Sequence, residues 1–150
     1  MDIRLIHIEE EPPYDLLLLA DPSLKLVQNY VDRGFCYLAF LENKLIGTYV
    51  LLPTRPETVE LVNIAIKEEE QGKGFGKQLI KHSLEMARAL SFKTVEIGTA
   101  NSSVSQLALY QKCGFRLTGI DKDFFIRHYD EEIFENGIQA VDMIRLSVDF

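Results

Sequence analysis

The sequence is short of several things that would otherwise decide its class. It holds two cysteines, Cys36 and Cys113, 77 positions apart. That spacing offers no metal-ligand pattern, argues against a disulfide scaffold and predicts reduced thiols in a cytoplasmic protein that needs no metal. Basic side chains are outnumbered, with 16 Lys and Arg against 23 Asp and Glu for a net charge of −7. A bulk nucleic-acid binder needs a basic face to neutralise phosphates, so nucleic acid is not expected as a partner. A cationic substrate suits this balance better. Apolar runs such as Leu16 to Ala20 and the longer Phe35 to Leu41 fall far short of the ~20 residues of a membrane helix, so no membrane partner is expected. The N-terminal Met1-Asp2-Ile3-Arg4 is mixed and soon acidic, without a secretory signal pattern. No repeat, low-complexity tract or long Pro/Gly/Ser linker divides the chain. What remains is ordinary globular composition, 47% apolar and 26% charged over 150 residues. A chain of this length buries about 68–70% of its unfolded surface, enough for a core without metals or disulfides. The expectation is one soluble intracellular domain over residues 1–150.

Patterning predicts an ordered series of elements. Ile3 to Ile8 alternates as a strand. A helix starts near Asp21-Pro22-Ser23, with Asp21 as cap and Pro22 in the first turn, and stops at Gly34. Phe35 to Leu41 and Leu45 to Leu52 read as a β-hairpin around Glu42-Asn43-Lys44. Pro53 and Pro56 break the chain before a strand over Thr58 to Ile66. That strand is apolar on both faces and therefore central. A helix follows from about Gly74 to Leu90 on a broad apolar face, then a strand over Thr94 to Thr99 and a helix over Ser103 to Cys113. Phe115 to Ile120 and Ala140 to Val148 close the chain as a terminal hairpin. The fold class is α/β (α+β), a mixed and mostly antiparallel sheet with helices on both faces.

The most informative segment is Gln71-Gly72-Lys73-Gly74-Phe75-Gly76-Lys77, between the central strand and its helix. Three glycines in five positions let the backbone turn tightly and approach a ligand closely. The first-turn N–H groups of the helix lack partners and the macrodipole adds positive potential, which together make a phosphate cradle. Lys73 and Lys77 add local positive charge. A P-loop is excluded because position 71 is Gln and Lys77 is followed by Gln78 rather than a hydroxyl residue. A dinucleotide fingerprint fails too, since its third glycine would fall at Lys77.

The pattern that matches is Q/R-x-x-G-x-G/A, met at Gln71, Gly74 and Gly76. Here the chain resembles the GNAT superfamily of N-acetyltransferases, in which this turn holds the pyrophosphate of acetyl-coenzyme A. Two further features carry the likeness. Glu60 lies on a strand eleven residues before the Gln, and Leu109-Tyr110-Gln111-Lys112-Cys113-Gly114-Phe115 resembles the L-Y-x-x-x-G-F closing motif. The element order over residues 3 to 148 also fits.

The resemblance implies acetyl-coenzyme A as co-substrate, a primary amine as acceptor and direct attack in a ternary complex held between splayed central strands. Residues 71 to 77 and the backbone of Ile64, Ala65 and Ile66 are then expected at the cofactor. Acyl transfer to an amine needs a base, because an alkyl ammonium with pKa ~10 is mostly protonated at neutral pH. Glu60 is the candidate. Without a bulge it shares a face with Val62, Ile64 and Ile66, where desolvation would raise its pKa, and the resemblance has it act through an ordered water. Asn63 could help order that water or be a buried hydrogen-bonded amide. Tyr110 is the candidate acid for the departing thiolate, since a phenol stays protonated beforehand. The resemblance places an oxyanion-stabilising N–H around Ile64, where family members carry a bulge that the sequence itself does not show.

Many members have an Asn seven residues before the tyrosine. Here that position is Ser103, and Asn101 lies two residues earlier; both are carried as cofactor-binding candidates. The stretch Phe124 to Tyr129, followed by Asp130-Glu131-Glu132 and preceded by Asp121 and Asp123, reads either as an acceptor pocket for a cation or as a solvated acidic loop. His7 and His82 read as structural or exposed, and Cys113 as a packed helix residue. A small cationic amine is the first acceptor expectation and a protein amino group the second. A homodimer stays open, as does a rival reading as a non-catalytic acyl-coenzyme A sensor.

Overall fold

The computed structural model describes residues 1–150. They divide into two compact units, residues 1–93 and 94–150. The first unit carries strands β1 (Asp2–Leu5), β2 (Phe35–Leu41), β3 (Lys44–Arg55) and β4 (Thr58–Ile66), with helices α1 (Tyr14–Ala20), α2 (Leu24–Arg33) and α3 (Phe75–Ala89). Its strands pair antiparallel in sequence order, β1 with β2, β2 with β3 and β3 with β4. The β2–β3 turn places Glu42 and Asn43 both at positive φ, the backbone whose twist matches a two-residue hairpin.

The sheet of this unit is covered on both faces. Leu17 of α1 and Val27 and Tyr30 of α2 pack with Cys36, Leu38, Val50 and Leu52 on one side. On the other side, a Cβ built at Gly47 would stand 2.8 Å from Ile66 Cδ1 and 3.2 Å from Leu79 Cδ1 of α3, so β3, β4 and α3 approach closely there. The helix capped near residue 21 begins at Leu24, and the cap is Ser23, whose hydroxyl accepts from Leu26 N–H. Asp21 instead accepts from Ser23 N–H. Helix α1 was not read from the sequence, where its leucines appear only as an apolar run. Nor does Pro53 end β3, which continues to Arg55.

The second unit carries β5 (Thr94–Ala100), α4 (Val104–Lys112), β6 (Arg116–Asp121), α5 (Phe124–His128), the two-residue strands β7 (Phe134–Glu135) and β8 (Ile138–Gln139), and β9 (Met143–Asp149). Strand β9 pairs antiparallel with both β5 and β6. The expected terminal hairpin is therefore a β6–β9 pair interrupted by α5 and the small β7–β8 hairpin. The architecture is mixed α/β with antiparallel pairing and flanking helices, as expected. No helix is long and apolar enough to cross a membrane.

Candidate active site

Strand β4 delivers the chain to the glycine turn. Its burial alternates, with Leu61, Asn63 and Ala65 buried and Glu60, Val62 and Ile64 half-buried. The register on β3 is broken once. Val50 faces Asn63 while Leu51 faces Leu61, so Val62 has no partner and forms a β-bulge. Directly opposed residues share a face of a sheet, which fixes the side chains. Glu60 lies opposite Leu52, and Leu52 packs with Leu17, Val27 and Tyr30. Ile64 lies opposite Tyr49, whose hydroxyl meets His82 Nδ1 of α3 at 2.8 Å. The bulge therefore separates Glu60, on the α1/α2 side, from Ile64, on the α3 side. The face-sharing expected of an unbulged strand does not hold.

Asn63 is on the same side as Glu60 and is 3% exposed. Its Nδ2 donates to Leu17 O at 3.0 Å and to Tyr30 Oη at 2.8 Å. Its Oδ1 is buried without a partner. Of the two readings open in the sequence, the structure shows the hydrogen-bonded buried amide.

After β4, a single 3-10 turn over Glu68–Glu70 leads into the glycines. Gln71 Nε2 donates to Ile66 O at 3.0 Å, which latches the start of the turn to the end of the strand. Gly72 and Gly74 stand at φ +78° and +86°, a region that residues with a Cβ rarely adopt. Gly76 needs no such angle, yet a Cβ built at any of the three meets nothing within 4 Å. Gly74 is the N-cap residue of α3 and no side chain caps the helix. The first main-chain bond back to Gly74 O comes from Gln78 N–H, so the N–H groups of Phe75, Gly76 and Lys77 lie outside the helical ladder. Lys73 pairs with Glu70 at 3.1 Å. Open space over three glycines, unused N–H groups and the positive end of a 15-residue helix together fit a diphosphate.

In the second unit, Tyr110 lies on α4, 6% exposed, with its ring 6.2 Å from that of Phe115. Burial, aided by Cys113 and Glu135, pushes its phenol up to about 12. It keeps its proton at neutral pH, as an acid must. Asn101 and Ser103 have other partners. Asn101 Nδ2 donates to Gln139 O, and its Oδ1 accepts from the N–H groups of Val141 and Asp142. Ser103 Oγ donates to Glu135 Oε1, and Asn136 Nδ2 donates to Ser102 O. These bonds strap the β7–β8 hairpin to the segment that opens α4.

A cavity of about 230 Å³ in this unit is lined by Phe125, Tyr129, Asp130, Glu131, Glu132 and Gln139 among others. Asp121 and Asp123 do not line it. Asp121 pairs with Arg127, and Asp123 N–H donates to Asp142.

A turn of this form, opening a helix behind a bulged strand, suits a protein that handles a phosphorylated carrier. Comparison with known proteins gives the family. Residues 3–115 match the model of the Acetyltransferase (GNAT) family. The chain is 63% identical over 99% of both lengths to a Bacillus subtilis (strain 168) protein named as an uncharacterized N-acetyltransferase, YvbK. A solved Bacillus subtilis acetyltransferase in complex with CoA is 59% identical, with TM-score 0.94 over 99% of this chain and 97% of that one. A GNAT family acetyltransferase from Elizabethkingia anophelis with acetyl-CoA bound is 48% identical, with TM-score 0.98 and the same coverage. The chain belongs to the acetyltransferase (GNAT) family and is an acetyl-CoA-dependent N-acetyltransferase.

Proposed function

We propose that this enzyme acetylates a small cationic primary amine by direct attack in a ternary complex, without an acyl-enzyme, and that residues 1–150 act as one catalytic domain. The observation that carries the reading is the turn at residues 71–77, open over Gly72, Gly74 and Gly76 and uncapped at the start of α3. Acetyl-CoA supplies the activated acyl group. The chain's own residues do the rest. The N–H groups from Gly72 to Lys77 bind the diphosphate, with Gln71 holding the turn in place. The main chain of Ile64 to Ile66 lines the carrier's arm. Glu60 takes a proton from the acceptor ammonium, and Tyr110 gives one to the leaving sulfur. The bulge around Val62 frees main-chain N–H for the carbonyl oxygen as negative charge develops there.

Two features support a cationic acceptor. The net charge is −7, which draws cations to the molecule. The cavity combines three carboxylates with the stacked rings of Phe125 and Tyr129, whose centroids are 5.4 Å apart. Aromatic faces attract cations, and Arg145 already lies 5.8 Å from the neighbouring ring of Phe124. Asn101 and Ser103, carried from the sequence as cofactor candidates, act in this reading by bracing the β7–β8 hairpin.

The test is an amine panel read by release of free CoA thiol. Polyamine-like and aminoglycoside-like amines should give saturable turnover, with neutral and acidic amines far slower. Equal turnover across the panel, or transfer only to acidic amines, would refute the cationic acceptor. Acetylated protein recovered after incubation with acetyl-CoA alone would refute direct attack.

A further inference from the structure

We infer that Asn63 is a positioning residue for acetyl transfer, its amide fixing the β4 bulge by clamping it to α1 and α2. The inference rests on the assignment of Glu60 as the base and concerns how that strand is held.

The polarity of the clamp is fully determined. Leu17 O can only accept, so the amide nitrogen of Asn63 must face it, and the same nitrogen donates to Tyr30 Oη. The Tyr30 hydroxyl in turn donates a hydrogen bond to Asp21 Oδ2 at 3.0 Å. Asp21 N–H returns to Leu17 O at 3.1 Å, and Asp21 Oδ1 accepts from Ser23 N–H. One polar chain thus ties the bulge to the end of α1, the start of α2 and its middle turn.

Packing does not account for an amide here. The surroundings are the apolar cluster of Leu17, Val27, Val50 and Leu52, and Asn63 Oδ1 is buried with no donor. An unpaired buried acceptor is destabilising, and an apolar side chain of similar size would avoid it. Within the chain, the two donor bonds are the use made of its polarity. Asn63 directly follows the bulged Val62, at the step where the strand turns Glu60 to one face and Ile64 to the other. Bulges re-aim side chains, and their aim is only as fixed as their neighbours make it. Asn63 therefore acts through the strand, not on the substrate.

The experiment compares full-length wild type with Asn63→Leu, Asn63→Asp and Tyr30→Phe, by steady-state kinetics and by amide hydrogen exchange at Val62 to Ile64. Asn63→Leu should lower kcat at least tenfold with the KM for acetyl-CoA within twofold, and speed exchange at the bulge but not in α3. Asn63→Asp reverses the polarity of the clamp. Its activity relative to wild type should recover as pH falls, because only the protonated carboxyl can donate. Tyr30→Phe keeps the bond to Leu17 and should show a smaller loss of the same kind. A folded Asn63→Leu protein with kcat within twofold of wild type overturns the inference. Should Asn63→Leu fail to fold, unchanged kcat and exchange in Tyr30→Phe overturn it. If wild type acetylates no amine, the functional reading fails by itself. Bulge exchange then decides the clamp, and unchanged exchange in the variants overturns it.

Discussion

Gly74 and Gly76 sit two residues apart and answer to different constraints. Gly74 is held at φ +86°, a conformation that costs a residue with a Cβ about 1–2 kcal/mol. Gly76 is the second residue of α3 and meets nothing in the protein, so alanine there should favour the helix by roughly 0.5–1 kcal/mol. Gly74→Ala is expected to lower Tm and Gly76→Ala to raise it slightly, while both raise the KM for acetyl-CoA at least tenfold. Thermal melts beside saturation kinetics read the two effects separately. A Gly76→Ala protein with unchanged KM would mean that the carrier does not approach this turn. Tyr110 gives the second prediction at this scale. A positioned general acid contributes about 10²–10⁴-fold, so Tyr110→Phe should lose that much kcat with little change in the KM for acetyl-CoA. Because burial holds the phenol near 12, its ionisation should not curtail wild-type activity below about pH 11. These residues could be found in the sequence because glycine spacing and the L-Y-x-x-x-G-F motif are local. Asn63 stands out there as a polar residue in an apolar strand, but its partners do not, since Leu17 and Tyr30 are 46 and 33 positions away. Asn101 and Ser103 stand out for their distance from Tyr110, yet their hydrogen bonds go to Glu135, Gln139, Val141 and Asp142, more than 30 positions along the chain.

Among the elements, β2, β4 and α3 were legible, β2 agreeing at both ends over Phe35–Leu41. Thr58–Ile66 agrees at both ends because both its faces are apolar and punctuation bounds it, and α3 agrees within one residue at each end. Bulges were not legible. Between β2 and β3 a shift at Ala39/Phe40 is what brings Tyr37 opposite Tyr49, and the two rings stack with centroids 4.8 Å apart. An unbulged hairpin on the same turn would have slipped that pair by one residue and to opposite faces. The stack matters for α3, whose His82 meets both rings edge-on and the Tyr49 hydroxyl at Nδ1. Burial lowers the pKa of His82, with Glu85 opposing, and raises that of Tyr49, so the neutral imidazole is matched with a protonated phenol. A histidine with a depressed folded pKa leaves the unfolded chain binding more protons once pH drops below its ordinary value of ~6.5. Stability from this contact is therefore complete above that pH and declines as acidity increases toward the lower folded value. Tm measured from pH 7.5 down to 5 should fall more steeply for wild type than for His82→Gln. Parallel curves would show that the imidazole is neutral for no structural reason.

At the level of the molecule, the division into units at residues 93 and 94 left no linker signature to read. The element order from β4 through α4 was legible because each piece is long and strongly patterned. Helix α5 and the β7–β8 hairpin were not, being five and two residues long. What the whole molecule must do is distinguish one diphosphate carrier from others that share its phosphates. A ligand that binds only the folded state at a hundred times its Kd stabilises by about 2.7 kcal/mol, which for a chain of this size raises Tm by about 5–10 °C. Acetyl-CoA should produce that shift, because the turn is open over its glycines and its first-turn N–H groups are unused. NAD should not, although it also offers a pyrophosphate to a helix start. A dinucleotide turn requires a third glycine where this chain has Lys77, and the Glu68–Glu70 turn stands between strand and glycines where such folds pass directly. Gly74→Ala should abolish the acetyl-CoA shift while leaving the protein folded. A melt stabilised by NAD and indifferent to acetyl-CoA would separate the turn from thioester chemistry, and with it the roles given to Glu60 and Tyr110.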